Sequence, residues 1–178
     1  MFRIIRWIFT LLALAIAGVL AYAATLSDSF TVTRTATIKA PPDKIYPMIA
    51  NLKTFNTWNP FALQDPSLKM TYGGPESGKG ATNSWAESRD VGTGKLTITD
   101  ETPPTGLKML LDMEKPIEAH NTVTFTLKPE GDGTAVTWAM TGERPYMAKV
   151  MDVVFNMDSM VGGHFETGLA SLRAVAEK

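Results

Sequence analysis

Between Leu68 and Thr141 apolar residues recur at every second position, through six successive runs separated only by short turns. The runs are Leu68 to Tyr72, Ala81 to Arg89, Gly94 to Asp100, Gly106 to Met113, Ile117 to Lys128 and Thr134 to Thr141. Between them stand GGPESGKG, RDVGTG, ETPPTG, EKP and EGDGT, the last a strong hairpin signal. Consecutive strands joined this closely pair antiparallel, so the chain is constrained to a curved meander. A seventh strand lies upstream, where Phe30, Val32, Ala36 and Ile38 alternate with Thr31, Thr33, Thr35 and Thr37.

Such a sheet needs a cover. From Pro145 to Lys178 the positions Met147, Met151, Val154, Val161, Phe165, Leu169, Leu172 and Ala176 trace one apolar face at steps of three and four. Lys149, Asp152, Asn156, Ser159, Glu166, Arg173 and Glu177 make the opposite face, predicting one amphipathic helix of roughly 50 Å at about 1.5 Å per residue. Gly162, Gly163 and Gly168 interrupt it, which predicts a bend or a close backbone approach. Met147, Met151, Met157 and Met160 cluster in its first half, suited to filling an irregular core or to lining a site for variable apolar shapes. Between the first strand and the meander, Ala40-Pro41-Pro42-Asp43 opens a helix with Ile45, Met48, Ile49 and Leu52 on one face and Pro47 inside it. A second short helix or turn carries Phe55, Trp58 and Phe61 around Asn59-Pro60.

Ahead of all this, Trp7 to Ala24 is an uncharged apolar run, preceded by Arg3 and Arg6 and followed by Ser27 and Asp28. It is long enough to cross a bilayer core, and its basic flank predicts an N-inside, single-pass anchor with the domain on the non-cytoplasmic, periplasmic side of the cell membrane. The competing expectation is a signal segment cleaved near Ala23, at Ala21-Tyr22-Ala23, which would release a soluble exported protein. The expected division is therefore an anchor or signal segment over 1–26 and one domain over 27–178. The chain has no Cys, excluding disulfides, thiolate metal sites and a cysteine nucleophile. Its formal charge is −1, and setting aside Arg3 and Arg6 leaves 15 basic against 18 acidic residues, with no basic run to grip phosphates. Nucleic acid is thus not an expected partner.

The order strand, two small helices, six strands, one long helix resembles the helix-grip fold of the START-like (SRPBCC) superfamily. The resemblance runs from about Phe30 to Lys178. Its motifs are Ala40 to Ile45, Phe55-Asn56-Thr57-Trp58-Asn59-Pro60, Tyr72 to Gly80, Glu118 to Thr122, Glu130 to Trp138 and Gly163 to Leu169. Together they are similar to the bacterial polyketide cyclase/dehydrase-like branch, Phe55 standing where many relatives have Trp. The resemblance implies an α+β fold, a curved seven-stranded antiparallel sheet around a long C-terminal helix, with a deep apolar cavity between them for a lipid-like or aromatic ligand. It leaves function open, because this scaffold hosts binding, transfer and catalysis.

Alternation supports such a cavity independently. The expected binding surface is Trp85, Met109, Leu111, Met113, Asn121, Val123, Phe125, Trp138 and Met140 on the strands, with Met151, Val154 and Phe155 on the helix. Glu87 shares a face with Trp85, and Asp100 shares one with Leu96 and Ile98. Asp158 falls between Val154 and Val161 and would titrate high if buried, or sit in solvent if the helix drifts toward Met157. By parity His120 points outward with Glu118 and Thr122, and His164 flanks the helix glycines in a structural role. The weak catalytic candidates are thus Glu87, Asp158 and His120. With no nucleophile beside a base at motif spacing, binding of a hydrophobic small molecule or lipid is expected ahead of catalysis, without metal or cofactor. The alternatives are a cyclase or dehydratase acting on an apolar substrate, and an interaction or stress module without an open cavity. Oligomeric state is not legible.

Overall fold

The computed structural model describes residues 2–178 apart from Pro66 and Asp90; the side chains of Phe2 and Glu87 also lie outside the description. Its strands are β1 (Ser29–Ile38), β2 (Met70–Gly73), β3 (Thr82–Ser88), β4 (Gly92–Thr102), β5 (Gly106–Lys115), β6 (Ala119–Glu130) and β7 (Gly133–Glu143). All seven form one antiparallel sheet in the order β1-β7-β6-β5-β4-β3-β2. Strands β2 to β7 are the meander that period two predicts, and β1 joins at the β7 edge, with Ser29 opposite Glu143 and Ile38 opposite Thr134. In the last hairpin Gly131 takes a φ of 60°, a conformation that side chains disfavour. Register shifts between β3 and β4 and between β4 and β5 mark bulges that bend the sheet.

Helix α1 (Phe2–Thr25) precedes β1, and α2 (Pro42–Ala50), α3 (Leu52–Phe55) and α4 (Pro60–Leu63) lie between β1 and β2. Each short helix has its own start signal. Pro42 occupies the first turn of α2, where its missing N–H leaves no bond unmade. Asn51 accepts the N–H groups of Lys53 and Thr54 at 3.0 and 3.1 Å to open α3, and Asn59 accepts that of Phe61 at 3.3 Å to open α4. These caps bring Phe55 and Trp58 onto the sheet. Their rings lie 4.8 Å apart, edge to face, and both approach Phe125 and Trp138 within about 6 Å, the reach of favourable aromatic pairing. The Trp58 indole N–H donates to the Met48 carbonyl at 3.0 Å, so its burial leaves no donor unpaired.

The C-terminal segment departs from one continuous helix. Asn156 adopts φ 50° and ψ 75°, ending α5 (Tyr146–Phe155) and beginning α6 (Met157–Ala176). Asparagine tolerates this left-handed conformation, and its side chain accepts the Ser159 N–H at 3.1 Å as the cap of α6. The break therefore falls at Asn156 and not at the glycines. Two of those glycines are close approaches: a Cβ at Gly162 would run into the Arg34 guanidinium, and one at Gly168 would stand 2.7 Å from Trp138 and 2.9 Å from Pro60. Gly163 faces open space. Helix α6 lies along β1, where Arg34 Nε donates to Glu166 at 2.7 Å and its Nη2 to Asp158 at 3.0 Å. Helix α5 turns away and packs on α1.

Gly168→Ala is expected to destabilise the detergent-solubilised full chain by about 1–3 kcal/mol through overpacking against Trp138 and Pro60. Gly163→Ala, with space around it and a better helix former in place, is expected to be neutral or to stabilise by up to about 1 kcal/mol. Urea unfolding of the two variants checks both; equal midpoints would overturn the close approach at Gly168.

Candidate functional site

Strand alternation and the turn into α6 leave part of the interior unfilled. A cavity of about 470 Å³ lies between the inner faces of β3 to β7, the α3–α4 segment and the first half of α6. Its sheet wall follows from register: Met109 pairs with Val123, Val123 with Met140 and Leu111 with Asn121, so these side chains stand together on one face. Trp85, Met113 and Trp138 complete that wall. Trp85 reaches across its cross-strand partner Gly94, where a Cβ would meet the indole at 2.8 Å, and its N–H donates to the Val91 carbonyl at 3.2 Å.

Four residues of the expected surface lie elsewhere. Phe125 is fully buried beneath the wall, its ring 4.9 Å from that of Trp138, and belongs to the packed core. Met151, Val154 and Phe155 sit on α5, outside the cavity and exposed, because the break at Asn156 redirects the face that continuous helical spacing would aim at the sheet. In their place α6 supplies Met157, Met160, Val161, His164 and Phe165, and the α3–α4 segment supplies Phe61. The spacing of Met157, Met160, Val161 and His164 is the signal that could have found them. His164, expected to be structural, lines the cavity with its ring 4.9 Å from Phe61 and the Gln64 amide 3.2 Å from Nδ1.

The polar groups at the wall are amides, indoles and an imidazole. Asn83 and Asn121 are buried, at 2% and 8% exposure, and the space that Asn121 fills is left by its partner Gly142. Asn83 Oδ1 and Trp138 Nε1 have no hydrogen-bond partner among the described residues. No Asp, Glu, Lys or Arg is among the described lining residues.

Asp100, Asp158 and His120 are placed away from this wall. Glu87 belongs to β3, but its side chain lies outside the described residues, and the bulge between Trp85 and Ser88 interrupts the alternation that associated it with Trp85. A second bulge, between Ile98 and Asp100, turns Asp100 out to solvent, 3.8 Å from Lys79. Asp158 is exposed on α6, and its hydrogen bond from Arg34 holds its carboxyl below the usual range, the opposite of a raised acid. His120 lies on the outer sheet face as parity predicts, with Nδ1 2.6 Å from Asp112 and Nε2 3.7 Å from Glu118. That contact, chiefly the hydrogen bond to Asp112, raises the His120 pKa above its ordinary value. The Glu118–His120 pair is therefore not assembled with the cavity. Among the described residues no group of three His, Cys, Asp or Glu could hold a metal ion.

The family described as polyketide cyclase / dehydrase and lipid transport matches residues 29–177. No curated protein matches the sequence. Among solved structures, protein CV1439 of Chromobacterium violaceum superposes with a TM-score of 0.61 at 12% identity, over 83% of this chain and 97% of that one. Protein Ms6760 of Mycobacterium smegmatis gives 0.54 at 20% identity, over 82% and 89%. DynU16, a protein of the dynemicin biosynthetic locus, gives 0.59 at 13% identity, over 86% of this chain and 48% of that one. At these identities the likeness is one of fold.

A raised His120 pKa means that the pairing with Asp112 stabilises the fold below the unfolded value, about 6.5, and is lost as pH rises through the folded one. The side chain is exposed, so the effect on stability is small and screened by salt. Proton NMR of the imidazole is expected to give a midpoint above 6.5 that falls toward it in Asp112→Asn; an unchanged midpoint in that variant would remove Asp112 as the cause.

Proposed function

The chain belongs to the polyketide cyclase / dehydrase and lipid transport family, and from that premise we propose that it binds a hydrophobic small molecule or lipid between sheet and α6 while α1 tethers it to the membrane. The observation that carries this is the cavity itself. Its 470 Å³ falls within the range of about 300–1,000 Å³ common for ligand pockets, and thioether, aliphatic and aromatic groups make most of its wall. Six methionines of the described wall, Met70, Met109, Met113, Met140, Met157 and Met160, adapt to a flexible guest.

Support for the tether comes from α1. Arg3–Thr25 has a mean hydropathy of 2.3, none of its best span is buried against the domain, and it continues as helix through Ala21-Tyr22-Ala23. A helix apolar along its length and covered by the domain only where α5 meets its C-terminal end finds the rest of its cover in lipid. Arg3 and Arg6 at its start favour a cytoplasmic N-terminus, with the domain on the far side of the cell membrane. Cleavage near Ala23 is the alternative, giving an exported soluble domain with the same cavity. A cyclase or dehydratase moves protons at more than one position, whereas the described wall offers His164 as its single titratable side chain, so binding is preferred to catalysis.

The full chain, purified from membranes in mild detergent, is expected to carry an apolar molecule in native mass spectrometry and to retain its N-terminal segment. A fluorescent acyl probe at about 100 times its dissociation constant is expected to raise the melting temperature by roughly 5–10 °C. Leu111→Trp, which fills the cavity, is expected to abolish both effects, and Met151→Trp, outside it, neither. A wild-type chain that carries nothing and gains no stability from the probe would sink the binding proposal; a mass beginning after Ala23 would sink the tether alone.

A further inference from the structure

Helix α5 is amphipathic in the inverse sense to a surface helix of a water-soluble domain. Its charged residues face the protein: Lys149, 7% exposed, reaches Asp28 at 2.6 Å, and Asp152 accepts from Arg144 at 2.7 Å. Its apolar residues face outward, with Met147 68%, Val154 60% and Phe155 58% exposed. The patch continues past Asn156 onto Met157 and Met160, which are exposed and also line the cavity. Lys149 and Asp152 are the only two charged residues of α5, and neither side chain is exposed with the apolar ones: they are 8% and 24% exposed and paired with Asp28 and Arg144.

Its neighbour identifies the occupant. Helix α5 packs on α1, and the Tyr146 hydroxyl donates to the Leu20 carbonyl at 3.0 Å. A span of about 20 residues beginning after Arg3 or Arg6 crosses the hydrocarbon core and ends near Ala23 or Leu26. Leu20 then lies about 5–10 Å inside that boundary, the depth to which the apolar face of an interfacial helix sinks, which puts Tyr146 and the start of α5 at the headgroup/acyl boundary. Neutral apolar groups at that level match the acyl boundary of a leaflet.

We propose that α5 and the first turn of α6 are a membrane-docking surface that holds the cavity mouth, rimmed by Met157 and Met160, against the bilayer. An apolar guest then passes between leaflet and cavity without crossing water. This rests on the binding and tether readings above.

The chain has no cysteine, so the single variants Val154→Cys, Phe155→Cys and, as a control on the far end of β6, Lys128→Cys can each carry a fluorophore in the full chain. In phosphatidylcholine vesicles the labels at 154 and 155 are expected to be quenched by shallow spin-labelled lipid at least about threefold more than the control, and shielded from aqueous iodide. Iodide quenching at 154 and 155 equal to that of the control would overturn the docking. Shielding from both quenchers, with disulfide cross-linking between two copies of the unlabelled Val154→Cys chain, would overturn it in favour of a second chain. Flotation of the unlabelled protein reports the tether separately: a chain that floats but gives aqueous labels sinks only the docking, whereas one that does not float sinks the tether and this proposal together. Val154→Asp combined with Phe155→Asp is expected to slow transfer of the acyl probe from vesicles by about tenfold, with thermal unfolding in detergent unchanged. Unchanged transfer would overturn the direct route.

Discussion

The stack of Trp138 on Phe165 holds the molecule together and divides its interior. The two rings lie 4.3 Å apart at 9°, joining β7 to α6 face to face. Phe55, Trp58 and Phe125 close on the same indole from the α3 segment and from β6. On one side of this cluster the interior is solid, with Ile38, Ile45, Ile49, Leu52, Leu127, Leu169 and Leu172 all essentially inaccessible. On the other side, the same indole forms part of the cavity wall. A fold can tolerate unfilled space where another part of its core supplies the cohesion, and burial of large aromatic and aliphatic groups supplies about 1.5–3 kcal/mol each.

This division explains how much could be read beforehand. Period two in the strands is a direct imprint of one buried face, so the seven strands, their antiparallel order and eight of the wall residues were legible. Alternation fails where a bulge adds a residue. The bulge after Ile98 sends Asp100 to solvent, and the one after Trp85 removes the basis for placing Glu87. No turn motif announces either, because a bulge is set by neighbouring strands.

The break between α5 and α6 is hidden for a different reason. Apolar spacing of three and four continues across Asn156, and spacing records which side of a helix is apolar without recording what covers it. A face packed on a sheet and a face left exposed therefore look alike in sequence. Only the left-handed backbone at Asn156, together with the pairing of Lys149 with Asp28 and Asp152 with Arg144, separates α5 from α6. His164 follows a related rule: its glycine neighbours say nothing of its direction, whereas its position relative to Met160 and Val161 decides which way it faces.

The distribution of charge sets how a guest can lie. Asp158, His120, Asp100 and Glu101 are all engaged with partners on the outside or at the loop end: Arg34, Asp112, Lys79, and the Tyr46 hydroxyl with the Lys79 N–H. The described wall keeps Asn83, Asn121 and the Trp138 indole as its deep polar groups. An ionised head group carried to that depth would be stripped of water with no opposite charge to meet it, a penalty of several kcal/mol. A neutral hydroxyl or carbonyl meets amides instead and loses far less. An amphiphile with a charged head would therefore enter such a cavity tail first and leave its charge outside the apolar wall. A neutral one can bury either end. Orientation thus follows from where this chain keeps its charges.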